Sequence, residues 1–258
     1  MIDQEKINLP DGYRLQAFLS IDSTNKEAIR QIEAGEGSDG LWVLSNAQTG
    51  GRGRRGRKWV SKPGNIYCSL IYETSKDTYT SSQLSFVTSL AVRDTISLFA
   101  DDGYAVKCKW PNDVLVNGQK ISGILLETYT EPMSGSNFVI IGIGINIENH
   151  PDIAAYPVTH LNKHSREHVS SIDAFTILAD KMPYWIAVWQ KEGFEAIRRN
   201  WLENCKGFGE QLTVKLPDKE IVGRFIDLNG DGALKLDMGG ETKLIHSGEV
   251  FFADPAKD

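Results

Sequence analysis

Cysteine is scarce: three residues, Cys68, Cys108 and Cys205, stand far apart with no C-x-x-C pair. That argues against a disulfide framework and a cysteine-based zinc site, and leaves reduced, mostly buried thiols as the expectation. No apolar run reaches the ~18 residues of a membrane span. The start Met1-Ile2-Asp3-Gln4-Glu5-Lys6 has neither the basic head nor the apolar core of a signal peptide. A cytoplasmic location without a membrane partner is expected. Basic charge is not in excess either. The formal net charge is −6, which disfavours a general nucleic-acid binder, whose surface is usually broadly basic. A G-x-x-x-x-G-K-[ST] phosphate loop, internal repeats and low-complexity tracts are also missing.

What is present is 258 residues with 41% apolar content, enough for a large domain with a small satellite. Charge is concentrated in one stretch, Gln48-Thr49-Gly50-Gly51-Arg52-Gly53-Arg54-Arg55-Gly56-Arg57-Lys58-Trp59. Glycines let a backbone turn tightly and approach a ligand, and arginines supply forked, permanently charged donors for phosphates and carboxylates. The spacing Gly51-x-Gly53-x-x-Gly56 matches the letters of a dinucleotide fingerprint, which works because its last glycine opens a helix. Here Arg57-Lys58-Trp59-Val60-Ser61-Lys62-Pro63-Gly64 has no helical stripe and ends in a breaker. The run therefore reads as an arginine clamp for an anion. Its like charges should keep it mobile until an anion arrives.

Along the chain, residues 14–19 alternate as a strand and lead through Asp22-Ser23-Thr24-Asn25 into a helix whose end Gly35 suits. The residues alone favour a capping role for Asp22 or Ser23. Residues 41–45 and 65–73 read as strands entering and leaving the basic loop, and residues 82–100 as a helix with Leu84, Val87, Ala91 and Leu98 on one face. Thr80, Ser81 and Ser82 are its candidate caps. A further strand follows at 105–110, and Asn117-Gly118 predicts a type I′ hairpin. Lys120 lies just past that turn, two positions from Ser122 and so expected on the same face. Residues 139–146 form a nearly continuous apolar run, a central strand buried on both faces. Gly142 and Gly144 clear one side of it, for a ligand, a bend or a close helix contact. Residues 150–169 read as a loop or lid, in which His160, His164 and His168 are expected at the surface rather than on a metal. Ser171 is expected to cap a long helix bearing Phe175, Leu178, Met182, Trp185, Ile186 and Trp189, and residues 193–204 a shorter one. From Gly207 only short strands and turns remain, the pattern of a small β-barrel. This predicts two domains, 1–206 and 207–258.

Five blocks in this order resemble the biotin protein ligases. They are Ser23-Thr24-Asn25, Gln48 with the run from Gly51 to Trp59, Lys109-Trp110-Pro111-Asn112-Asp113, Lys120-Ile121-Ser122-Gly123-Ile124-Leu125, and Gly142-Ile143-Gly144-Ile145-Asn146. The resemblance implies an α+β fold: a mixed-sheet catalytic domain of the class II aminoacyl-tRNA synthetase and biotin synthetase type, with a small SH3-like C-terminal barrel. Some members carry an N-terminal helix-turn-helix. Only about a dozen residues precede the first strand here, so a form without the DNA-binding domain is expected.

The implied activity is two-step: biotin and ATP give biotinyl-5′-AMP and pyrophosphate, and a lysine of a biotin carboxyl carrier protein then displaces AMP. The carrier belongs to acetyl-CoA carboxylase or a related biotin-dependent carboxylase, and a homodimer is left open. By the resemblance Lys120, Arg52 and Arg54 are catalytic. Ser23, Thr24, Asn25, Gln48, Gly51, Gly53 and Gly123, with Gly142 and Gly144, would join them around biotin. Arg54, Trp59, Asn112 and Asn146 would hold the nucleotide, with Asp113 a carboxylate for Mg2+. Charge, glycine and strand arguments by themselves support an anion site near Arg52, Arg54 and Lys120. Two rival readings are a lipoate or octanoate ligase of related fold and a non-enzymatic nucleic-acid module using the arginines.

Overall fold

A computed structural model describes residues 7–152 and 156–252. Residues 1–6, residues 153–155 of the expected lid and residues 253–258 of the expected second domain lie outside the described residues. Among the described residues twelve strands form two sheets. The larger has seven strands in the order β1-β2-β3-β7-β6-β5-β4, comprising β1 (Arg14–Phe18), β2 (Leu41–Ser45), β3 (Ile66–Glu73), β4 (Val106–Lys109), β5 (Asp113–Val116), β6 (Gln119–Thr130) and β7 (Asn137–Ile145). Helix α1 (Thr24–Glu33) is the crossover that makes β1 and β2 parallel, and every other neighbouring pair is antiparallel, so the sheet is mixed. The smaller sheet is antiparallel, in the order β11-β10-β9-β8-β12. Its strands are β8 (Gln211–Lys215), β9 (Glu220–Leu228), β10 (Leu234–Asp237), β11 (Thr242–Ile245) and β12 (Glu249–Phe252). No helix among the described residues is long and apolar enough to cross a membrane.

The two faces of the large sheet have different cover. One carries the main core with α3 (Leu84–Phe99), α4 (Ser171–Glu192) and α5 (Phe194–Glu203), and this core runs without interruption into Leu212, Phe225 and Val250 of the small sheet. Further contacts join the two sheets: Trp110 Nε1 donates to Gly232 O at 2.9 Å, and Gln83 Nε2 to Gly230 O at 2.9 Å. The other face is covered only at one end. There α1 buries Ala28 and Ile32 against Leu41, Val43, Ile71 and Ile140. The uncovered end is where the site lies.

Several local expectations need correction. Residues 78–82 are not bare caps but the short helix α2 (Thr78–Ser82), itself capped by Asp77, which accepts from Thr80 N. Leu98 is 61% exposed, because the last turn of α3 runs past the sheet and Phe99 packs inward instead. The cap of α4 is Ser170, whose Oγ accepts from Asp173 N at 3.1 Å, not Ser171. Lys120 and Ser122 do not share a face. A bulge at Ile121 sets Lys120 opposite Leu115 but Ser122 opposite Val114. Ser122 therefore pairs with Ile145 over the core, while Lys120 points to the same side as Gly123. His164 is not at the surface. It is buried, bonded to Thr159 Oγ1 at 2.6 Å and edge-on to Tyr104, and burial depresses its pKa. The hairpin at Asn117-Gly118 is present, with φ of 46° and 78° at the two residues, the positive pair a type I′ turn needs.

Asn65, just before β3, ties the floor of the fold to the segment after β7. It is buried, its Oδ1 accepts from the backbone N–H groups of Ile147, Glu148 and Asn149 at 2.9, 2.9 and 3.2 Å, and its Nδ2 donates to Asn149 O at 2.9 Å. Replacing it with alanine leaves buried donors unpaired. Asn65→Ala is expected to lower unfolding free energy by about 2–4 kcal/mol, read as a lower urea midpoint with unchanged slope.

Candidate active site

The register of the sheet creates the floor. Ser45, Tyr67, Gly144, Gly123 and Asp113 lie side by side in one row, and Val43, Ser69, Gly142 and Leu125 in the next. Cross-strand partners point to the same face, so glycine and serine in adjacent rows leave a depression. Protein groups partly fill it. A Cβ on Gly142 would collide with the Asn25 amide of α1, so the close helix contact is what that glycine serves. A Cβ on Gly144 would lie 2.5 Å from Trp59 Cε2, and one on Gly123 3.0 Å from Trp59 Cζ3. The indole thus lies flat over both glycines. Beside it opens a cavity of about 470 Å3, bordered by both sheets and by the basic loop. That volume suits a small-molecule site.

The basic loop is a narrow hairpin between β2 and β3. Gly53 N–H donates to Arg57 O at 2.7 Å and Trp59 N–H to Gly51 O at 2.9 Å, and the tip turns through Arg55 and Gly56 at φ of 56° and 72°. Gly51 admits no side chain, since a Cβ there would sit 2.5 Å from Trp59 O. No helix follows Gly56; Arg57 is extended. That disposes of the dinucleotide reading. Each of three arginines has a protein partner: Arg52 Nη2 reaches Glu127 Oε2 at 2.8 Å, Arg54 Nη1 reaches Asn112 Oδ1 at 3.0 Å, and Arg57 Nη1 reaches Glu249 Oε1 of β12 at 2.8 Å. The repulsion expected within the run is therefore offset by acceptors drawn from elsewhere in the chain.

Lys120 enters from the returning strand of the hairpin. Its Nζ is 2.6 Å from Asp113 Oδ1, an ion pair without hydrogen-bond alignment, and 5.6 and 5.5 Å from the ring centres of Trp59 and Tyr156. Its backbone is clamped on both sides: its N–H donates to Pro157 O, and its carbonyl accepts from Thr159, each at 2.9 Å. Burial pushes Arg54 and Lys109 below their ordinary pKa values, with Asp113 opposing the shift in both. An incoming anion relieves that cost, because it favours the charged form of each. Among the described residues no group of three His, Cys, Asp or Glu side chains is arranged to hold a metal.

At the far end of the cavity Ser23 and the first turn of α1 face inward. Ser23 occupies the cap position but makes no capping bond, contrary to the expectation for it, and Asp22 bonds Ser23 N and Arg30 instead. Thr24 N–H and Oγ1 donate to Gln48 Oε1 at 2.8 and 3.2 Å, and Gln48 Nε2 donates to Ser61 Oγ at 3.0 Å. Ser23, Thr24, Asn25, Gln48, Arg52, Gly53, Arg54, Trp59, Asn112, Asp113, Lys120, Gly123, Gly142 and Gly144 all line the one cavity. Gly51 shapes the loop behind it. Asn146 is not in the lining; its Nδ2 donates to Thr159 O at 2.9 Å, and its buried Oδ1 has no partner among the described residues.

Residues 17–146 match the Biotin/lipoate A/B protein ligase family, and residues 207–253 match the Biotin protein ligase C terminal domain. The biotin--[acetyl-CoA-carboxylase] ligase of Paracoccus denitrificans is 35% identical over 90% of this chain and 97% of that protein. This chain belongs to the biotin protein ligases. The Bifunctional ligase/repressor BirA of Bacillus subtilis is 30% identical over 89% of this chain and 71% of its own length. The fold matches that of the biotin protein ligase from Aquifex aeolicus in complex with biotin and ATP, with a TM-score of 0.77 at 24% identity over 92% of this chain and 97% of the other. In this biotin protein ligase the first family match ends at Asn146, so the floor and the basic loop both fall within it.

Lys109, Glu127, Tyr156, Lys206 and Glu249 have no role expected from the sequence, although all but Glu127 line the cavity. Lys109 stands inside one of the five blocks, where a lysine on a short buried strand is itself a signal; Glu249 carries no local signal. The stacked position of Trp59 gives a direct check. In Gly144→Ala the methyl must displace the indole, so the Trp59 contribution to near-ultraviolet dichroism should fall by at least about half. Comparing the wild type and the Gly144→Ala protein, each with and without Trp59→Phe, isolates that contribution.

Proposed function

We propose that this chain joins biotin to ATP as biotinyl-5′-AMP, releasing pyrophosphate, and then passes biotin to a lysine of a biotin carboxyl carrier protein. The observation that carries this reading is the convergence of Arg52, Arg54 and Lys120 on one cavity floored by Gly123, Gly142 and Gly144, with the Ser23-Thr24-Asn25 turn at its far end. In the first step a carboxylate oxygen of biotin bonds to the α-phosphorus and the bond to pyrophosphate breaks. Both reactants are anions. One unit charge pair ~4 Å apart at an effective dielectric of ~20 is worth about 4 kcal/mol, so cations between them lower the barrier substantially. Lys120 takes the place between carboxyl and phosphate, and Arg54 with Asn112 holds the phosphate side. Ser23, Thr24, Asn25 and Gln48 serve the head group, with Gly51 and Gly53 shaping the loop that covers it.

In the second step the carrier amine attacks the acyl carbon, its proton is lost, and AMP leaves with the bonding pair. Lys120 then faces the acyl oxygen as it gains charge. Trp59, already flat on the floor, is the adenine platform. The Oδ1 of Asn146, without a partner among the described residues, suits the exocyclic amine of adenine. For Mg2+ the donor set fits a one-carboxylate site. Asp113 Oδ1 has no aligned hydrogen bond among the described residues, and magnesium commonly takes one or two carboxylates plus substrate phosphates. When bound there it would neutralise triphosphate charge. The division near Gly207 marks the proposed boundary between a ligase domain and a small C-terminal domain. The three free, buried cysteines, with Cys108 and Cys205 pushed by burial up to about 12, fit a reducing cytoplasm.

Incubation with ATP, Mg2+, biotin and a carrier domain should add the mass of one biotin to the carrier. Biotin must support ATP–pyrophosphate exchange and lipoate must not; exchange with lipoate alone would favour the lipoate ligase reading. Lys120→Ala is expected to cut turnover by a factor of 100 or more, on the order of 3 kcal/mol of transition-state stabilisation, while biotin affinity changes only about threefold. Equal losses in turnover and binding would remove Lys120 from the transition state.

A further inference from the structure

Glu127 is a carboxylate for which the mechanism above has no use. It stands on β6 in the row of Ile140, at the border between the half of the sheet covered by α1 and the open half. One oxygen, Oε2, accepts from Arg52 Nη2 of the basic loop and from Asn25 Nδ2 of the inward-facing turn, both at 2.8 Å. Asn25 Oδ1 accepts in turn from Ser69 Oγ at 2.6 Å, and Ser69 Oγ lies 2.8 Å from Thr24 Oγ1. Thr24 leads to Gln48, Gln48 to Ser61, and Ser61 Oγ donates to Trp59 O at 3.1 Å. The side chains thus connect Arg52, at one end of the basic hairpin, with Ser61, just beyond its other end, by way of the turn.

The chemistry of Glu127 gives this path its direction. An ionised carboxylate only accepts, so Asn25 must offer it the amide nitrogen and turn its oxygen to Ser69. The same oxygen draws in the Arg52 guanidinium by charge. We propose that Glu127 is a positioning residue that couples closure of the basic loop to the setting of the Asn25 amide. This coupling deepens the biotin reading and rests on it: the loop and the head-group turn would reach their binding geometry together. Glu127 itself does not line the cavity. With the carboxylate removed, Arg52 loses its anchor and the Asn25 amide loses the group that orients it.

The test uses the whole 258-residue chain and Glu127→Gln, which keeps the shape but not the charge. Trypsin cleavage within the arginine run, measured without ligand, should be at least about fivefold faster in Glu127→Gln than in the wild type. The KM for biotin should rise about tenfold with kcat within about threefold, the split expected when binding geometry and not the transition state is lost. Asn25→Ala alone should raise KM, and combining it with Glu127→Gln should add less than about twofold to the larger single effect. An unchanged cleavage rate, an unchanged or lowered KM, or fully multiplicative effects would each overturn the coupling. Should Glu127→Gln fail to fold, Glu127→Asp keeps the charge but withdraws it by one methylene. It is expected to show the same changes in smaller measure, and an unchanged cleavage rate or KM there would equally overturn the coupling. If the wild type shows no biotin-dependent exchange, the biotin reading fails, and the cleavage comparison still reports on the Glu127 latch.

Discussion

Too much positive charge in too small a space is the constraint around which this molecule is built. Arg52, Arg54, Arg57, Lys109 and Lys120 all border one cavity of about 470 Å3. Unit charges of one sign at such distances repel by several kcal/mol unless they are solvated or paired. The structure answers with a distributed set of acceptors: Glu127 for Arg52, Asn112 for Arg54, Glu249 for Arg57 and Asp113 for Lys120. None of these lies within the loop. The compensation is also incomplete where it counts, because burial still depresses Arg54 and Lys109. A site left in that condition is selective for anions before any substrate is specified.

Sheet register supplies the second requirement, room. Glycines placed opposite each other on β6 and β7, with Ser69 on β3, remove side chains from two adjacent rows of one face. The bulge at Ile121 is what allows the same strand to send Lys120 over that face and Ser122 into the core. Were Ile121 paired regularly, Lys120, two positions from Ser122, would share its core side, and its ammonium would be buried among Val114, Val116 and Ile145. A single backbone irregularity therefore decides whether the lysine is useful or ruinous.

What is legible in the sequence is what is local. The hairpin at Asn117-Gly118, the strands around the basic loop, the apolar stripe of α4 and the absence of a helix after Gly56 all follow from near neighbours and turn chemistry. The blocks that carry the family resemblance do converge on one cavity, with Asn146 held just behind it. What escapes is set by distance or by irregularity. Strict alternation cannot anticipate a bulge, so it puts Lys120 and Ser122 on one face. A serine before a helix looks like a cap, and only the fold shows that Ser23 does not bond as one. The partners of the arginines lie 75 residues away for Arg52 and 192 for Arg57, separations at which residue pattern carries no signal.

That last separation bears on why the small sheet belongs to the enzyme at all. Glu249 opens β12, an edge strand of the C-terminal sheet, and half-exposed ion pairs of its kind contribute little energy. Its effect is geometric. The C-terminal sheet is fixed against the large one by Trp110, by Gln83 and by a continuous apolar core, so Glu249 stands at a set height over the cavity mouth. A carboxylate on a flexible tail could neutralise Arg57 anywhere along its reach. One mounted on a docked sheet holds the loop at one closure, and the cavity then exists only when both sheets have folded and met.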